Sequence, residues 1–110
     1  MNFDTKKAFI DNAISHGKAI EDGNHKLANK LHKDISKIYN IIKREERWDE
    51  LKDMVEHSDE SVRLWAATFL LHHNQDFALK ALKGLEKSKK IFGLSASTTI
   101  DMWNKGMLQL

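Results

Sequence analysis

An all-α fold, a right-handed α–α stack of five or six helices, is predicted by three observations. The chain of 110 residues has no proline and only five glycines; a proline costs about 3 kcal/mol inside a helix, so no segment is barred from helicity. Apolar residues recur three and four apart along most of the chain, the period of one helix face. A two-helix stretch repeats at an interval of thirty residues. That period belongs to stacks in which each helix pair needs a neighbour to cover its apolar side.

The first helix is expected from Asp4 to Glu21, with Phe9, Ile10, Ala13, Ile14, Gly17 and Ile20 on its inner face. Asp4 or Thr5 suits its N-cap and Gly23 its stop. A second helix follows from Asn24 to Arg44, its inner stripe being Leu27, Ala28, Leu31, Ile35, Ile38 and Ile42. The short turn between them makes residues 1–44 an antiparallel hairpin. A third helix, Glu46 to His57, brings Trp48, Leu51, Met54 and Val55 to the core. Ser58–Ser61 reads as a turn and new N-cap. The fourth helix, Glu60 to His73, is apolar on nearly every side, as a helix sandwiched between neighbours must be. These two form a pair over residues 45–73. Asn74–Asp76 caps a fifth helix running through Glu86, using Phe77, Ala78, Ala81, Leu82 and Leu85. The sixth, Lys90 to Asn104, ends before Gly106 and completes a second pair over residues 74–106.

The repeat lays Leu64–Leu70 over Leu94–Ile100, matching Leu64 with Leu94, Ala66 with Ala96, Thr68 with Thr98 and Leu70 with Ile100. Upstream, Val55, Glu56 and Ser58 meet Leu85, Glu86 and Ser88 in the same register. The run Asp59-Glu60-Ser61-Val62-Arg63-Leu64-Trp65-Ala66-Ala67 resembles the second helix of a HEAT repeat. The resemblance implies that the small residues admit close helix approach and that the arginine ties neighbouring turns. Val62-Arg63-Leu64-Trp65-Ala66-Ala67, with the ending Trp103-Asn104-Lys105-Gly106, is also similar to a bacterial domain-of-unknown-function family with HEAT-like helical repeats. That resemblance implies a fold and no activity; small helical proteins of this general sort include immunity partners of secreted toxins.

Composition excludes several chemistries. Without cysteine there is no disulfide and no thiolate metal site. No apolar run has the length of a membrane span and the N-terminus lacks a signal-peptide pattern, so a cytoplasmic location is expected. The six histidines follow no helical zinc spacing: His25 and His32 are seven apart and His72 and His73 adjacent, so no metal and no cofactor are expected. Ser95–Thr99 is rich in hydroxyls, but its register places it where small residues let helices approach, and close packing is the simpler reading. With no phosphate loop and no nucleophile elbow, the chain is not expected to be an enzyme.

Charge carries the remaining signal. The net charge of +2 is too small to imply nucleic acid. Yet eight acids stand against Arg47 and Lys52 between Glu45 and Glu60, and five lysines against Glu86 between Lys80 and Lys90. Either run can be a solvated helix face. Clustered carboxylates would also draw a basic partner. The expectation is a noncatalytic protein-interaction module that binds another, basic protein through Glu46, Asp49, Glu50, Asp53, Asp59, Arg63 and Trp65, in one form an immunity protein neutralising a basic bacterial toxin. Trp65 is included because its repeat partner is Ser95, and a position bulky in one repeat and small in the other can face a groove. The alternative is a nucleic-acid-binding HEAT-like protein using the Lys80–Lys90 segment.

Overall fold

The structure is a computed structural model that describes residues 4–108. Its six helices are α1 (Thr5–Glu21), α2 (His25–Arg44), α3 (Trp48–Met54), α4 (Glu60–Leu70), α5 (Gln75–Leu85) and α6 (Ile91–Asn104), and no strand occurs among the described residues. The fold is all-α. No helix among them is long and apolar enough to cross a membrane.

Local chemistry sets the helix ends. Asp4, Asn24, Asp59 and Asn74 each accept a backbone N–H in the first turn of the helix they open, from Lys7 at 3.0 Å, Leu27 at 3.1 Å, Ser61 at 2.9 Å and Phe77 at 3.4 Å. Each satisfies a donor that the helix itself cannot pair. Three helices end in the same Schellman pattern, a left-handed residue followed by a backbone bond reaching back to the last turn. Gly23 supplies the left-handed residue after α1 and Gly106 after α6, with Asn24 N–H on Ala19 O at 2.8 Å and Met107 N–H on Met102 O at 2.9 Å. The Trp103-Asn104-Lys105-Gly106 ending thus has a mechanical reason.

After α2 the left-handed residue is Glu46, at φ 55°, with Arg47 N–H on Ile42 O at 2.9 Å. A side chain there carries a backbone cost that glycine lacks. Glu46→Gly is therefore expected to raise stability by about 1 kcal/mol, read as a higher urea midpoint at unchanged slope. An unchanged or lower midpoint would mean that the carboxylate contributes more than the backbone loses.

At the centre lies α4, packed against α1, α3, α5 and α6. Val62, Ala66, Ala67, Phe69 and Leu70 are buried on it, and the alanines let neighbours come close. Around it a single core gathers Phe9 from α1, Ile35 and Ile42 from α2, Leu51 and Met54 from α3, and Leu82 from α5. A smaller cluster of Ala19, Ala28 and Leu31 closes the tip of the α1–α2 hairpin.

Several expectations change. The third helix spans only Trp48–Met54, because the Schellman turn at Glu46 delays its start and turns through Val55–Glu56 end it. The fourth stops at Leu70 and not at His73: Asn74 N–H takes Leu70 O at 2.8 Å, folding Leu71–His73 into a turn. Ile14, Leu27 and Phe77, expected in the core, are exposed. Leu27 sits at the hairpin tip, where little packs, and the ring of Phe77 lies 6.0 Å from Lys52 Nζ at the start of α5. Within the thirty-residue register, Ala66 and Ala96 are both fully buried, whereas Leu64 is half-buried and Leu94 is 71% exposed.

Candidate ligand-binding groove

The α2 and α4 faces that meet beside α6 have complementary spacing. His32, Ser36, Tyr39 and Asn40 lie one or two turns apart on α2; Leu64, Trp65, Thr68 and Phe69 occupy adjoining turns on α4. With Thr99 of α6 and Leu108 they line an open concavity of about 480 Å³. No Asp, Glu, Lys or Arg is among these lining residues.

Aromatic rings build its wall. Tyr39 and Phe69 stack with centroids 4.1 Å apart and planes 9° apart. Trp65 lies 5.5 Å from Phe69 at 31°, and Phe9 backs Phe69 edge-on at 6.1 Å. His16 and His32 meet Trp65 edge-on at 5.0 and 5.1 Å and lie 6.4 Å from each other. Trp48 stacks on His73 at 4.4 Å, and Trp103 meets His72 at 4.8 Å, so every tryptophan carries a histidine. Sequence reasoning missed these partnerships. Each histidine lies on a different element from its indole, and no spacing along the chain encodes that.

The polar groups have defined roles. Thr68 Oγ1 donates to Leu64 O at 2.7 Å and Thr99 Oγ1 to Ser95 O at 2.8 Å, so each hydroxyl keeps only its lone pairs for a visitor. Burial pushes the Tyr39 phenol above its ordinary value of 10.0, so it stays protonated at neutral pH and cannot act as a base. His16 is held below 6.5, chiefly by burial and secondarily by the nearby charge of His32.

A pH dependence follows from His16. Its lowered value in the fold means that the unfolded chain binds the proton more readily, so its contribution to stability is complete above pH 6.5 and lost as pH falls through its folded value. Asp59 does not share this window, since it is held below 3.8: burial raises it, but bonds from the Ser61 hydroxyl and the Ser61 and Val62 N–H groups, with the charge of His57, outweigh that. The urea midpoint of the wild type should drop from pH 8 to pH 5, and His16→Gln should show a smaller drop. Equal drops in both proteins would refute a lowered His16.

The residues expected to form an acidic site lie on the turn before α3, on α3, at the N-cap of α4 and on α4 itself. Asp59 caps α4, taking Ser61 and Val62 N–H at 2.9 and 3.4 Å. Arg63 donates to His57 O at 3.0 Å and Ser58 O at 3.2 Å, tying the turn that precedes its own helix. Glu50 accepts from Arg47 at 2.9 Å, and the same guanidinium reaches Thr5 Oγ1 at 2.8 Å, joining α3 to α1. Asp53 is 3.8 Å from Lys6. Glu46 and Asp49 are exposed. Trp65 is half-buried in the groove. The five lysines of Lys80–Lys90 are all exposed, on α5 and the turn after it. In the hydroxyl-rich segment, Ala96 alone is fully packed; Thr99 faces the groove, while Ser97 and Thr98 are exposed.

Comparison with known proteins bears on the fold. No family model matches the chain, and no curated protein matches it. Among solved structures, the crystal structure of protein RPA1889 from Rhodopseudomonas palustris CGA009 is similar, with a TM-score of 0.86 at 20% identity. The match covers 97% of this chain and 91% of that one. The likeness is one of fold. At this identity it transfers the helical architecture and nothing of the groove's chemistry.

Proposed function

We propose that this is a noncatalytic binding protein whose working surface is the groove on Trp65. The observation that carries the reading is a half-buried indole standing in a concavity of about 480 Å³ whose described lining holds no Asp, Glu, Lys or Arg. Pockets that hold ligands are mostly apolar and aromatic with a few placed polar groups, and this lining has that composition. Three hydroxyls of the lining argue for binding over chemistry. Those of Thr68 and Thr99 have their hydrogens committed to helix carbonyls, and the Tyr39 phenol keeps its proton. The HEAT-like reading of α3–α6 is supported by the shared burial of Ala66 and Ala96 and by the Arg63 tie to the preceding turn.

A second reading keeps the protein-interaction module that engages a basic partner, such as a toxin to be neutralised. It is favoured by exposed Glu46 and Asp49 at the start of α3. The two readings separate in one experiment. Tagged wild type, Trp65→Ser and an Asp49→Lys/Asp53→Lys variant are incubated with lysate of the source organism, and the bound proteins and small molecules are identified by mass spectrometry. The groove reading expects Trp65→Ser to lose at least nine-tenths of the captured species and the lysine variant to retain it. Loss confined to the lysine variant would transfer the function to the acidic segment.

A further inference from the structure

We propose that the occupant of the Trp65 groove is a neutral, flat aromatic small molecule that donates a hydrogen bond. This rests on the groove being the working surface, and three features of the walls lead to it.

The first is charge. The described lining offers no Asp, Glu, Lys or Arg to pair with an ion, and its single ionisable imidazole, His32, is set edge-on against Trp65 at 5.1 Å. A charge moved out of water without a partner is strongly disfavoured, so an anion or cation binds worse here than its neutral analogue. The second is shape. A volume of about 480 Å³ lies within the range of small-molecule sites. The wall is built of rings near one orientation, Tyr39 and Phe69 within 9° and Trp65 within 31° of Phe69, and a flat ring system matches it best.

The third is hydrogen bonding. Thr68 and Thr99 have spent their hydroxyl hydrogens on Leu64 O and Ser95 O. What they show the groove is lone pairs. A ligand that brings an N–H or O–H satisfies these two acceptors, whereas one without a donor leaves them unanswered, and such mismatches discriminate between otherwise similar ligands; the lining's own donors, Ser36, Asn40 and the Tyr39 phenol, remain for water or for a ligand's acceptors.

The test uses four probes of nearly one shape: indole, neutral with one N–H donor; benzofuran, its neutral counterpart without the donor; tryptamine, a cation; and indole-3-acetate, an anion. Isothermal titration at pH 7.5 of the full chain should give saturable binding of indole, with benzofuran roughly threefold to tenfold weaker. Both charged probes should be at least tenfold weaker than indole. Thr68→Val and Thr99→Val should each narrow the gap between indole and benzofuran while the far-ultraviolet dichroism is retained. Trp65→Ser should abolish indole binding.

Benzofuran as tight as indole, charged probes as tight or tighter, or heat from none of the four would each overturn the ligand class. If no probe binds while capture from lysate still depends on Trp65, the class is wrong and the groove reading survives. If neither depends on Trp65, both fall.

Discussion

Phe69→Ala is expected to lower the free energy of unfolding by about 4 kcal/mol, the cost of emptying a well-packed aromatic site. The ring is 3% exposed and touches three others: Phe9 edge-on, Tyr39 stacked and Trp65 tilted. It joins α4 to both helices of the N-terminal hairpin and forms part of the groove wall at once. Removing it leaves a cavity that the rigid Tyr39 and Phe9 rings cannot collapse to fill. Since domains of this size are stable by about 5–15 kcal/mol, the variant should retain a cooperative transition with a strongly reduced urea midpoint. Phe69→Leu keeps most of the volume and should lose less than half as much. A loss below about 1 kcal/mol for the alanine variant would mean that the ring stack is not a packed unit. The groove would then lack the rigid wall that the binding argument requires.

The second large effect is at Gly93, and its sign is opposite to the usual rule. Glycine to alanine in a helix ordinarily stabilises by about 1 kcal/mol. A Cβ at Gly93 would overlap Ser88 O and stand 3.2 Å from Glu86 O, backbone atoms of the turn that leads into α6. Backbone cannot swing aside as the end of a side chain can, so α6 must shift away from the α5–α6 turn. Gly93→Ala should therefore cost about 3 kcal/mol. Gly84 on α5 is the internal control: nothing lies within 4 Å of its added Cβ, and Gly84→Ala should gain about 0.5–1 kcal/mol. Opposite shifts of the thermal midpoint for two identical substitutions are the expected result. Shifts of the same sign would contradict the close approach at α6.

These two residues also mark how far the sequence could be read. The all-helical class, the hairpin turn at Gly23 and capping turns at Asp4 or Thr5, Ser58–Ser61 and Asn74–Asp76 were legible, because capping and periodicity are local and leave their signature within a few residues. Gly93 was not, since its constraint comes from a turn that only the folded chain brings against it. The short α3 was missed for a similar reason: a left-handed Glu46 gives none of the signal that a glycine there would have given. Leu27 and Ile14 carried the correct period, and periodicity says which face is apolar without saying how far the neighbouring helices extend.

The candidate site was legible only in one residue. Comparing the repeats singled out Trp65, since a large ring opposite Ser95 needs a different environment. The acidic residues were conspicuous by number, yet counting charges cannot distinguish a carboxylate that caps a helix, as Asp59 does, or one paired to Arg47, as Glu50 is, from one left facing solvent. The groove itself is a product of two helix faces, α2 and α4, whose pairing no linear pattern expresses.

Native mass spectrometry of the protein purified without denaturation from its source organism tests the central claim most directly. Wild type should carry a single small-molecule adduct that is released on acid unfolding, and Trp65→Ser, equally folded, should appear at its bare mass. Bare wild-type protein, or the same adduct on Trp65→Ser, would contradict the assignment of the groove as the working surface.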